Sequence, residues 1–378
     1  MSLSTEEQIR YSRHFNLPNF GMEAQERLKK SKVLVVGAGG LGSPLLLYLA
    51  AAGVGHIGII DDDVVDLSNL QRQVLYSEEE LGKPKITSAA DRIYALNPNV
   101  GIITYEGRLT SENALEIIKG YDVVADGTDN FPTRYLVNDA CVMLDVINVY
   151  ASIYQYEGQV SVFNYPLEDG NRGPHYRDLF PTPPEAGLVP DCATGGVLGV
   201  MAGIVGSYQA LEVIKCITGI GEPLQGKLLI FDALSSQCRT IKFKKTYTAE
   251  ISELINYEDF CGVETKNNKQ EMSAIREITV QDLKEWKDSG KDFQLIDVRE
   301  QHEIDFASIG GEHIVLGDLL ARQAEVEDEK DVVIMCRSGQ RSGAAVNALQ
   351  QQGFTNLYNL KGGITAWSRE IDTSVPTY

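Results

Sequence analysis

Four branched apolar residues, Val33-Leu34-Val35-Val36, run straight into Gly37-Ala38-Gly39-Gly40-Leu41-Gly42, and an uncharged helical run over residues 43–52 follows at once. A buried strand, a turn of glycines and a helix in that order leave few folds open. They make the opening unit of a parallel, Rossmann-like α/β sheet. The glycines let phosphate groups approach the backbone, and the helix N-terminus faces their negative charge. The pattern alone does not select a ligand, because dehydrogenases share it with many other nucleotide binders.

The next apolar run, residues 56–60, ends at Asp61, about where an acidic side chain accepts hydrogen bonds from a ribose. An NAD-dependent oxidoreductase fits up to this point. Beyond it, Arg72 arrives at the end of Ser68-Asn69-Leu70-Gln71-Arg72, and Lys85 follows in Lys83-Pro84-Lys85. A dinucleotide has no terminal phosphates for such cations, whereas a triphosphate has. A third strand, residues 121–126, leads into Gly127-Thr128-Asp129-Asn130 at the carboxyl edge of the sheet, where ligands of open α/β sheets sit. Asp129 suits Mg2+ on the phosphates; the alternative is a cap for the helical pattern over residues 130–144.

A second α/β unit begins near Ile278. Its apolar run Val332-Val333-Ile334-Met335 delivers Cys336 to a turn, Cys336-Arg337-Ser338-Gly339-Gln340-Arg341-Ser342, that opens a helical pattern. Backbone N–H groups converging in such a turn, with the positive end of a helix, favour a nucleophilic thiolate. Arg337 and Arg341 add positive charge. The plainer alternative is an inert buried cysteine.

At 378 residues the chain exceeds a single core, so two domains are expected, over residues 1–264 and 275–378 with a polar linker at 265–274. Its 34 basic and 53 acidic residues leave a net charge of −19, which argues against nucleic acid or an anionic membrane as the main partner. The N-terminus shows no signal-peptide pattern. The uncharged span 193–211 approaches membrane length, but its glycines fit a closely packed buried helix better. Six cysteines without close pairs suit a reducing cytoplasm and give no disulfide framework.

Two resemblances follow from these motifs. The Cys336 loop, with Asp297-Val298-Arg299-Glu300 and the closing Leu360-Lys361-Gly362-Gly363-Ile364-Thr365-Ala366-Trp367, resembles rhodanese-type sulfurtransferases. That resemblance implies a persulfide on Cys336, supported by Arg337, Arg341 and Asp297. Trp367 is read as a core aromatic. Arg13, Gly37, Gly39, Gly40, Gly42, Asp61, residues 68–72, Lys85 and residues 127–130 resemble the adenylation site of the MoeB/ThiF family, relatives of the ubiquitin-activating enzymes. The family adenylates the C-terminal glycine of a ubiquitin-like sulfur carrier ending in Gly-Gly. Carried over, Asp61 binds ribose, Arg72 and Lys85 the phosphates, Asp129 magnesium, and Arg13 the ATP of the partner subunit in a homodimer. An upstream donor such as a cysteine desulfurase would load the sulfur. Molybdopterin, thiamine, cysteine and tRNA-thiolation pathways all use this chemistry.

Residues 173–192 are rich in proline and end at Cys192, which in relatives with a fused rhodanese domain attacks the acyl-adenylate or forms a transient disulfide; the alternative is a packed thiol. The chain departs from the family where many members bind zinc through two Cys-x-x-Cys pairs. Here His175-Tyr176-Arg177-Asp178 stands in the first motif, and residues 244–262 offer only Cys261. No zinc is expected. His175 and Asp178 are read as surface polar residues, and this lobe as held by packing alone. A carrier-binding scaffold with sulfurtransferase activity only is the remaining alternative.

Overall fold

Strict alternation along the first strand decides how the sheet is covered. In β1 (Lys32–Val36), Val33 and Val35 enter one core, and Leu34 and Val36 enter another on the opposite face. A strand buried on both sides belongs in the middle of a parallel sheet. The computed structural model describes residues 2–184, 196–262 and 275–376. The chain divides into two compact units, Met1–Thr265 and Lys266–Tyr378.

The first unit is built on one eight-stranded sheet. With β2 (His56–Asp61), β3 (Gly101–Glu106), β4 (Val123–Asp126), β5 (Ile147–Tyr154), β6 (Glu157–Phe163), β7 (Lys227–Asp232) and β8 (Gln237–Lys242), the order is β3-β2-β1-β4-β5-β6-β7-β8. The pairs from β3 to β5 are parallel and those from β5 to β8 antiparallel. The order reverses about β1, between β2 and β4, and ligands of such sheets bind at that switch. Helices α1 (Gly21–Lys30), α2 (Gly42–Ala52) and α3 (Lys85–Leu96) bury leucines, isoleucines and alanines on one face, and α4 (Phe131–Met143) packs on the other.

Helix α5 (Gly199–Thr218) is long and apolar enough to cross a membrane by composition. Two of its glycines serve close packing. A methyl on Gly206 would stand 2.5 Å from the Leu41 carbonyl oxygen, and one on Gly199 would stand 2.2 Å from that of Gln71. Gln209, fully buried, donates to the carbonyls of Asp126 and Val149 at 2.8 and 2.9 Å, tying α5 to β4 and β5.

The second unit is a five-stranded parallel sheet in the order β11-β10-β12-β13-β9, from β9 (Glu277–Ile278), β10 (Phe293–Asp297), β11 (Glu312–His313), β12 (Asp331–Met335) and β13 (Leu357–Leu360). Helix α8 (Gln340–Gln351) covers one face. Helices α6 (Val280–Ser289) and α9 (Gly363–Glu370) cover the other, with Trp367 in their core; α7 (Gln301–Phe306) follows β10.

Within α5, Gly203 has open space where a methyl would go. Gly206→Ala should therefore lower stability by about 1–3 kcal/mol through overpacking. Gly203→Ala should leave it unchanged or raise it by up to about 1 kcal/mol through helix propensity. Urea midpoints of the two variants check the opposite signs.

Candidate active site

The glycine turn forms where β1 meets α2, and its neighbours explain each glycine used. Gly37 adopts φ +92°, and a methyl there would stand 3.2 Å from the Gly127 carbonyl oxygen at the end of β4. On Gly42 it would fall 2.1 Å from the Gly37 carbonyl oxygen. The Asp61 carboxylate at the end of β2 then accepts from the Ala38 N–H at 2.7 Å and from the Asp63 N–H at 2.8 Å. Burial raises the Asp61 carboxyl above the usual aspartate range, against the opposing charge of Lys85. The Tyr76 hydroxyl closes the turn from below, donating to the Ala38 carbonyl at 2.8 Å.

Cations line the same edge. The Arg72 stem lies 3.5 Å from where a Gly40 side chain would begin, and its guanidinium donates to the Ser68 carbonyl at 3.1 Å. The Lys85 ammonium is nearly enclosed and meets the exposed Asp63 carboxylate at 2.8 Å. Ser68 and Asn69 form a single helical turn capped by Asp66; Leu70 packs on the core, and the Gln71 backbone supports Gly199. On the β4 side, Asn130 accepts from the Thr133 N–H at 3.0 Å and is therefore the cap of α4. Asp129 is left exposed, with no hydrogen-bond partner among the described residues. Arg13 is exposed on the short helix Ser12–Phe15, and no contact among the described residues joins it to this edge.

One group here was missed in the sequence. Gln73 is 3% exposed, its amide nitrogen lies 3.7 Å from where a Gly39 side chain would begin, and its Oε1 has no partner among the described residues. Buried amides are ordinarily satisfied, so an open one beside the glycine turn is a candidate ligand contact. Its only sequence signal is its place directly after Arg72.

In the second unit, Cys336 occupies the turn between β12 and α8. Its side chain is buried, and Sγ accepts from the Gly339 N–H at 3.2 Å and from the Ser342 hydroxyl at 3.3 Å. The start of α9 clamps the turn: the Ile364 and Thr365 N–H groups donate to the carbonyls of Cys336 and Arg337 at 3.0 and 3.1 Å. The charges differ from expectation. Arg341 forms a two-pronged pair with Glu303 on α7, both contacts 2.6 Å and both groups largely buried, so its charge is neutralised and it braces the turn. Asp297 pairs in the same way with the fully buried Arg299, whose guanidinium also donates to the Ala307 carbonyl at 2.9 Å. Cys192 lies outside the described residues, as does the whole 265–274 linker.

A profile of the ThiF family matches residues 11–250, and one of the rhodanese-like domain matches residues 279–370. The chain belongs to the ThiF family and carries a C-terminal rhodanese-like domain. Among its relatives, a protein named probable adenylyltransferase/sulfurtransferase MoeZ from Mycobacterium tuberculosis is 47% identical over 381 residues, covering 100% of this chain and 97% of that protein. The adenylyltransferase and sulfurtransferase MOCS3-1 of Zea mays is 40% identical over 401 residues, with 100% and 85% covered. A sulfur carrier protein adenylyltransferase of Thermus thermophilus is 51% identical over 270 residues, 70% of this chain and 100% of that protein. The crystal structure of E. coli MccB shares the fold, with TM-score 0.57 at 21% identity over 67% of this chain and 74% of that one.

Two expectations fail in the lobe where the resemblance led to a comparison with a zinc site. His175 and the Asp178 carboxylate are buried, not on the surface, and Arg177 between them is buried too. Packing alone does not hold the lobe either. Arg177 makes a two-pronged pair with Asp139 of α4 at 2.8 and 2.7 Å, to which the Tyr257 hydroxyl also donates at 2.7 Å. The guanidinium lies over the rings of Tyr135 and Phe260, 5.0 and 4.9 Å from their centroids. Asp178 accepts from the N–H groups of Thr246 and Tyr247, so both stretches that would carry zinc ligands are joined. Among the described residues no group of three or more His, Cys, Asp or Glu side chains converges to hold a metal. These residues do not fit zinc, since thiolates are missing and the carboxylates are committed to other donors.

Arg177→Met should leave Asp139 charged and uncompensated, costing about 3–5 kcal/mol. Its urea midpoint should fall accordingly, while elemental analysis of the wild type should find zinc well below one per chain.

Proposed function

We propose that this chain adenylates the terminal glycine carboxylate of a ubiquitin-like, β-grasp sulfur carrier protein ending in Gly-Gly, and then converts it to a thiocarboxylate with sulfur from a Cys336 persulfide. The observation that carries this reading is the pairing, in one chain, of a glycine-turn nucleotide edge with a cysteine turn, in a family whose relatives matched over the full chain are named for both activities.

A carboxylate is a poor electrophile, so it first attacks the α-phosphorus of ATP and expels pyrophosphate, giving an acyl-adenylate. In this reading the glycine turn and Gln73 take the phosphates, Asp61 the ribose, and Arg72 and Lys85 the charge that builds on the departing pyrophosphate. Lys85 then exchanges Asp63 for phosphate. Asp129, exposed and without a partner among the described residues, suits Mg2+, which keeps several waters and takes one or two carboxylates beside the phosphates. The ion would neutralise phosphate charge; Asn130 keeps Asp129 out of the helix cap and so available. Arg13 is assigned to the ATP of the partner subunit in a homodimer.

The terminal persulfide sulfur of Cys336 next attacks the acyl carbon. AMP leaves, and an acyl disulfide joins the carrier to Cys336. Cys192 is the residue we assign to release: its thiolate attacks Sγ of Cys336, the S–S bond breaks with the thiocarboxylate as leaving group, a Cys192–Cys336 disulfide forms, and a cellular dithiol reductant restores both thiols. A cysteine desulfurase is the class of donor that would reload Cys336, in a reducing cytoplasm. Residues 265–274 serve as the tether between an adenylation domain at 1–264 and a rhodanese domain at 275–378, raising the local concentration of sulfur near the adenylate.

ATP–pyrophosphate exchange with β-grasp carriers ending in Gly-Gly tests this directly. Exchange should appear with a carrier and fall about 100-fold or more in Asp129→Ala. Cys336→Ala should keep full exchange yet form no thiocarboxylate. Folded protein with no exchange on any carrier, or loss of exchange in Cys336→Ala, would contradict the reading.

A further inference from the structure

The Ser342 hydroxyl has one proton and two acceptors. Its Oγ lies 3.3 Å from Cys336 Sγ and 2.7 Å from Asn359 Oδ1. A hydroxyl donates only once, so these bonds compete. Asn359 sits on β13, is 5% exposed, and is fixed in the ladder, with its N–H donating to the Arg276 carbonyl at 2.8 Å. Its amide lies beside Gly339 and Gly343, where methyl groups would stand 3.7 and 3.5 Å from Asn359 Nδ2, at ordinary contact distance.

We infer that Asn359 is a positioning residue for sulfur transfer, acting through Ser342. It rests on the reading of Cys336 as the sulfur-carrying nucleophile. With a neutral thiol the amide oxygen is the better acceptor, and the shorter bond holds the hydroxyl there. When Sγ bears negative charge, as the thiolate that takes up sulfur, it becomes the stronger acceptor. The hydroxyl then turns to it by rotating one hydrogen, with no heavy atom moving. Asn359 thus sets Ser342 Oγ within reach of the sulfur and takes the proton back once the charge has left. The charged side chains at this turn are Arg337, and Arg341 paired with Glu303 of α7.

The test reads Cys336 alone, by peptide-resolved alkylation with iodoacetamide against pH on the full chain, together with the rate at which Cys336 takes sulfur from thiosulfate and releases sulfite. In Asn359→Leu the hydroxyl is given wholly to sulfur, so alkylation below the profile's midpoint should rise about 2- to 10-fold. In the near-isosteric Asn359→Asp the carboxylate holds the proton, and both alkylation and sulfur uptake should slow by a similar factor. Ser342→Ala should remove the Leu effect entirely and shrink the Asp effect to its direct charge repulsion. Effects of Asn359→Leu that persist unchanged in the Ser342→Ala background would overturn the inference. Failure of the wild type to form a Cys336 persulfide would instead overturn the reading of the site itself.

Discussion

Backbone against backbone at the carboxyl edge of the first sheet is the contact on which the nucleotide site depends. The turns after β1 and β4 abut at Gly37 and Gly127, and the start of α2 rests on the Gly37 carbonyl at a distance that leaves no room for a methyl at Gly42. Asp61 then fixes the turn by taking the Ala38 N–H, which places its carboxylate beside the glycines and within the field of Lys85. Helix α5 repeats the device through Gly199 and Gly206, and Gln209 sews it to two strands. The second unit uses the same principle: Gly363, at φ +57°, brings the start of α9 so close that a methyl would lie 2.3 Å from the Cys336 carbonyl oxygen. In both units the reactive edge is shaped by close approach that side chains would prevent.

The lobe around Arg177 shows how one cross-link substitutes for another. Zinc would join two distant chain stretches through four thiolates. Here a buried guanidinium joins Asp139, the Tyr257 hydroxyl follows, and aromatic faces cover the charge. The energetics differ in kind. A metal adds binding energy outright, whereas a buried ion pair repays a desolvation cost only when every donor and acceptor is satisfied. Asp139, accepting from Arg177 on both oxygens, from the Asn138 amide and from the Tyr257 hydroxyl, meets that condition.

Much of this was legible in the sequence because backbone requirements leave compositional marks. The glycine run before α2, the aspartate ending β2 and the cysteine ending β12 are local, and the strands and helices they punctuate formed where the periodicity put them. What stayed hidden was pairing over long range. Arg341 looks like a free cation beside Cys336 until Glu303, 38 residues away, is seen to claim it. Arg177 carries no signal of its role until Asp139 and Tyr257 arrive from elsewhere in the chain. Gln73 and Asn359 carry no motif at all, and only their burial beside the two turns singles them out.

The most direct measurement is the intact mass of a Gly-Gly carrier after incubation with this protein, ATP, Mg2+ and thiosulfate. The account predicts a carrier in which one oxygen has been replaced by sulfur, formed only when ATP and thiosulfate are both present. A carrier whose mass stays unchanged, while Cys336 is persulfidated and ATP is cleaved to AMP, would contradict the coupling of the two sites.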